Sequence, residues 1–167
     1  MKLTTKQLIL CALLTAMALA LSYLENLFPL SLAIPIPGVK LGLANLAVLF
    51  ALYRYGWKEA LCLNIMRVLL AGFLFGNLFT ITYSLAGAAA SFAIMCALKR
   101  LGSFSIMGIS MAGAVSHNIG QILVAYFVTK TAGVVFYLPM LLVAGLITGL
   151  LIGLTAKEVL KIIALAQ

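Results

Sequence analysis

Six apolar stretches, separated only by short gaps that hold charges, Gly or Pro, account for nearly the whole chain, and this alternation leaves few folds open to it. Crossing a bilayer core of about 30 Å takes roughly 20 apolar residues in helical form. The stretches lie near 7–27, 41–55, 58–76, 79–98, 104–128 and 135–160, the second being short. A helix pairs its own backbone N–H and C=O groups, which irregular backbone leaves unpaired in lipid. The expected fold class is therefore all-α integral membrane: a six-transmembrane-helix bundle forming one transmembrane domain over 1–167. With 65% hydrophobic and 8% charged residues, a water-soluble surface is out of reach. The first segment starts basic, like a signal peptide, but it is apolar from Leu8 to Leu24 and lacks an A-x-A cleavage site before a soluble domain. It reads as a retained span.

Basic residues set the orientation. Lys2 and Lys6, Arg54 and Lys58, Lys99 and Arg100, and Lys157 and Lys161 fall in gaps on one side, against Lys40 and Lys130 on the other. The side richer in Lys and Arg is cytoplasmic by the positive-inside rule, so both termini are expected in the cytoplasm. The same placement explains the net charge of +8 without nucleic acid, for which no basic patch interleaved with aromatics exists.

The longest outer connection, 28–39, reads FPLSLAIPIPGV. Pro29, Pro35 and Pro37 exclude regular helix there. Such a stiff apolar loop is either a lid over a pocket or a plain hairpin connection at the interface.

Small residues recur at four-residue spacing in three spans, which stacks them on one helix face and lets another backbone approach closely. The rows are Ala12, Ala16 and Ala20 in the first span, Ala112, Ser116 and Gly120 in the fifth, and Gly145, Gly149 and Gly153 in the sixth. Most such rows serve internal packing. The first-span row is the best candidate for docking a separate protein.

Polar residues inside spans are costly facing lipid and therefore point to an interior site. Arg67 is the one strong charge well within a span; it acts either as an anion clamp, or structurally, pairing with Glu25 or capping loop carbonyls. His117 and Gln121 share a face at i and i+4, and Asn118 lies beside them. With Lys40 and Asn77 these residues are expected to line one outward-facing cavity of positive charge, suited to a small anionic or polar aromatic molecule. Asn45 and Asn64 read as interhelical hydrogen-bonding residues.

Chemistry by the chain itself is not expected. Its acidic residues are Glu25, Glu59 and Glu158, with no Asp to build a carboxylate-held Mg²⁺ site. Neither a P-loop nor a G-x-S-x-G motif occurs. One His and three dispersed cysteines, Cys11, Cys62 and Cys96, leave no metal site, and no cofactor is expected.

The segments SYLENLFPLSLAIPIPGVKLGLAN (22–45), RVLLAGFLFGN (67–77), YSLAGAAAS (83–91) and GAVSHNIGQ (113–121) resemble the bacterial Gx transporter family. That family carries the label heptaprenyl diphosphate synthase component I and is grouped with the substrate-binding S-components of energy-coupling factor (ECF) transporters. The resemblance implies a subunit of the bacterial cytoplasmic membrane that captures a scarce nutrient outside. It implies, as partners, a transmembrane coupling subunit and two cytosolic ATPases. In S-components an Ala-x-x-x-Ala row on the first helix meets the coupling subunit, and Ala12 and Ala16 match it, with Ala20 extending it. It also implies that the first loop acts as a gate. A second expectation, of a different class, is a non-catalytic membrane component of isoprenoid or quinone biosynthesis.

Overall fold

The structure, a computed structural model, describes residues 4–27 and 41–165. The loop 28–39 and Lys40, both assigned functional roles from sequence, lie outside the described residues. Among the described residues the chain forms six α-helices: α1 (Thr5–Leu27), α2 (Leu43–Arg54), α3 (Trp57–Phe75), α4 (Leu78–Leu101), α5 (Ile106–Thr129) and α6 (Leu138–Leu165). A 3-10 turn, Ala132–Tyr137, leads into α6.

Local chemistry sets the helix ends. Asn77 starts α4 and Ser105 starts α5, each accepting a hydrogen bond from the backbone N–H three residues on. At the other end of α4, Gly102 turns left-handed (φ 73°) just after Lys99 and Arg100, whose charges suit a helix C-terminus. Helix α4 thus continues three residues past the expected limit at 98, because two charged residues stop an apolar pattern without stopping a helix.

Four segments are long and apolar enough to cross a membrane: α1, α4, α5 and the stretch Ala132–Leu165. The other two helices differ, each for its own reason. Helix α3 has 19 residues but carries Lys58, Glu59 and Arg67. Helix α2 has only 12 residues, about 18 Å at the usual rise per residue. It is instead the centre of the bundle: Ala47, Val48, Leu49 and Ala51 are wholly enclosed, and α1, α3 and α6 pack around it. A helix that is apolar on every side belongs in such a position.

The remaining helices pack in the order α1, α3, α4, α5, α6, with α6 returning to α2. The contacts of α5 with α4 and with α6 are the most extensive, and glycine makes them close. A Cβ at Gly149 would lie 2.7 Å from the Met111 Cα, one at Gly153 2.7 Å from the Met107 Cα, and one at Gly120 2.8 Å from the Ala86 carbonyl oxygen. The sixth-span row Gly145, Gly149 and Gly153 is therefore spent on α5. In the fifth-span row, Gly120 packs on α4 while the Ser116 hydroxyl bonds back to the Ala112 carbonyl.

The first-span row is placed differently. Helix α1 buries Cys11, Leu14, Thr15 and Ala18, whereas Ala12, Ala16 and Ala20 are all exposed on the opposite side.

Lys99 joins two elements. Its Nζ donates to the Leu52 carbonyl in the last turn of α2 and lies 4.9 Å from the centre of the Tyr53 ring. Replacing Lys99 with Met keeps the aliphatic stem and removes both contacts. A loss of roughly 1–2 kcal/mol is expected, read as a lowered unfolding temperature of the purified protein in detergent.

Candidate ligand cavity

A cavity of about 170 Å³ lies among the helices, walled by α1, α3, α4, α5 and α6 and closed at one end by the start of α2. Four of the six residues assigned to a site from sequence meet there: Arg67, His117, Asn118 and Gln121.

Arg67 enters from α3. Its Nε donates to the Asn64 Oδ1 at 3.1 Å, and the Asn64 Nδ2 donates in turn to the Ala88 carbonyl on α4 at 3.2 Å. The buried Asn64 thus ties α3 to α4 and fixes the root of the guanidinium. The glue role expected of Asn64 and the interior position of Arg67 are one arrangement.

Helix α5 supplies two polar faces. His117 and Gln121 point towards α4, where a Cβ at Gly87 would come within 2.9 Å of the His117 Cε1 and Nε2 and within 2.8 Å of the Gln121 Cγ. Only glycine leaves room for them at that level. Asn118 turns towards α6 and donates from Nδ2 to the Leu141 carbonyl at 2.6 Å, beside Gly145. The three side chains therefore divide between two neighbours and still share one cavity.

Asn77 does not line this cavity. Its Oδ1 accepts from the Thr80 N–H at 2.9 Å and from the Thr80 hydroxyl at 3.0 Å, capping α4 at the turn after α3. A helix start needs an acceptor for its orphan N–H groups, and the N-x-x-T spacing supplies one here. Asn77→Ala is expected to cost about 1 kcal/mol in thermal unfolding while leaving ligand affinity unchanged.

Sequence reasoning missed several lining residues. Glu25 and Ser22 come from the end of α1, and Thr80 and Ser84 from α4. Glu25 matters most. Its Oε1 accepts from the Gly42 N–H at 2.5 Å, and its charge acts electrostatically on Arg67. Asn45, read from sequence as an interhelical residue, also borders the cavity. Ser110 lies at the far end, 1% exposed, with no hydrogen-bond partner for its Oγ. At the cavity rim Tyr23 of α1 packs on Phe75 of α3, ring centres 5.5 Å apart.

Fixed polar groups of both signs within an apolar bundle suit binding and orientation of a polar molecule. Among the described residues no group of three or more metal-ligating side chains occurs.

In comparison with known proteins, residues 14–159 match the model of a family described as heptaprenyl diphosphate synthase component I. No curated protein and no solved structure matches the chain.

Proposed function

We propose that this chain, which belongs to the heptaprenyl diphosphate synthase component I family, is a non-catalytic, multi-pass subunit of the bacterial cytoplasmic membrane that binds a small polar molecule for a system whose chemistry is done by other chains. The observation that carries this reading is the cavity that joins Arg67, His117, Asn118 and Gln121 inside an otherwise apolar bundle. A guanidinium within a membrane bundle is costly, and ligand binding gives it a use. The family's description points to isoprenoid or quinone supply as the setting, and the lack of Asp in the chain fits an accessory role rather than prenyl transfer. All six helices lie within the membrane in this reading, α2 shielded by the others, with both termini cytoplasmic.

The test is native mass spectrometry of the gently purified protein together with affinity capture from its own membranes. Expected are a small molecule bound one to one and co-purification of a soluble prenyl transferase. If wild type and Arg67→Ala carried the same adducts, the cavity would not be the binding site. Absence of the transferase would remove the isoprenoid setting.

A second reading, the substrate-binding subunit of an ECF-type importer, is favoured by one observation. The row Ala12, Ala16 and Ala20 is exposed and unused by the chain's own helices, although small residues in membranes serve close helix contacts. In this reading it meets a transmembrane coupling subunit that sits on two cytosolic ATPases. Ala12→Leu with Ala16→Leu is expected to abolish capture of such a subunit without lowering thermal stability. Unchanged capture would end this reading.

A further inference from the structure

Resting on the ligand cavity proposed above, we infer that its ligand is a small zwitterion of the α-amino acid type, whose carboxylate meets Arg67 and whose ammonium group meets Glu25. Sequence alone leads to a positively charged cavity. Glu25 changes that, because the described lining residues hold one fixed charge of each sign, with His117 as the one further titratable group among them.

The two charges are supported separately. Arg67 is held through Nε by Asn64, and Glu25 through Oε1 by the Gly42 N–H. Neither anchor uses the opposite charge, so the guanidinium and the carboxylate are fixed on α3 and α1 as two poles of one site. Among the described lining residues a desolvated dianion, such as a diphosphate, meets one Arg and is repelled by Glu25. A monoanion leaves Glu25 uncompensated in a low-dielectric space. A ligand that brings one charge of each sign satisfies both poles.

The rest of the cavity limits the ligand's body. Lining residues on α5 run from Gln121 to Ser110, eleven positions or about 16 Å along the axis. Along that path α6 presents Leu141, Thr148 and Ile152 beside Gly145 and Gly149, and the two glycines pack closely on α5, so the path is narrow. At its end the Ser110 hydroxyl is buried and unpartnered, a cost of folding that a hydrogen-bonding group on the ligand would remove. A slender side chain with a polar tip fits this path.

The experiment uses the full chain in lipid nanodiscs, with binding measured by thermal shift and calorimetry. Probes are the common L-α-amino acids, the deaminated acid and the carboxamide of the best binder, and inorganic pyrophosphate. At least one amino acid is expected to bind, with each single-charge analogue at least tenfold weaker and pyrophosphate showing no binding. In Glu25→Gln the amino acid is expected to fall to the level of its deaminated analogue. The zwitterion assignment is overturned, with the cavity reading intact, if pyrophosphate or the deaminated acid binds as tightly as the amino acid. It is overturned in the same way if Glu25→Gln leaves the ratio unchanged, or if a co-purified ligand lacks either charge. Failure of every probe, with nothing co-purified, overturns the cavity reading itself.

Discussion

Gly149→Leu is expected to prevent the bundle from closing, with a loss of at least about 3 kcal/mol and little folded protein recovered from the membrane. A first side-chain carbon at this position lies 2.7 Å from the Met111 Cα, 3.0 Å from the Ala114 Cβ and 3.0 Å from the Ser110 carbonyl oxygen. Two of these are backbone atoms of α5, which no rotamer change can move. Relief requires α5 and α6 to separate, and that interface is among the most extensive in the molecule. Gly108→Ala provides the contrast. Its added carbon has as its nearest neighbour the Ser105 Oγ at 3.5 Å, an ordinary contact, and alanine favours helix over glycine by up to about 1 kcal/mol. Thermal unfolding in detergent should therefore show a large loss for Gly149→Leu and none for Gly108→Ala.

The second large effect concerns Arg67. Arg67→Ala is expected to weaken ligand binding by about 100-fold or more, equivalent to about 2.7 kcal/mol, as read by calorimetry on the ligand found by native mass spectrometry. Arg67→Lys is expected to recover part of the loss, because it restores the charge but not the planar fork of donors. The ligand-free variant should unfold close to wild type, since Asn64 keeps its bond to the Ala88 carbonyl. Loss of affinity with unchanged stability separates a binding role from a purely structural one.

Hydropathy located each helix, because the same apolar residues that favour the bilayer also continue through the helix interior. Where it was less informative, the physical causes differ. The pattern at 41–55 corresponds to a 12-residue helix at the centre of the bundle, and burial against protein looks in sequence like burial in lipid. Charges at Lys99 and Arg100 suggested an end that the helix passes by one turn. For the cavity, the i to i+4 relation of His117 and Gln121 was readable because both sit on one helix. Sequence reading pairs Glu25 with Arg67 in one alternative but does not count it among the cavity residues. Its place depends on the end of α1 meeting the start of α2 through Gly42, a tertiary contact across 17 positions. Asn77 had a readable cap pattern, with Thr80 three residues later, that competed with the attraction of grouping it among polar site residues.

The shortness of α2 has a consequence for how the protein meets its membrane. A lipid-facing helix of about 18 Å would thin the bilayer around it. Helix α2 is screened by α1, α3 and α6, so its length is free of hydrophobic matching. Its start borders the cavity, through Leu41, Gly42 and Asn45. The length of α2 thus answers to the bundle around it rather than to the thickness of the bilayer. Larger side chains in its first turn would fill this end of the cavity without altering the outer wall seen by lipid.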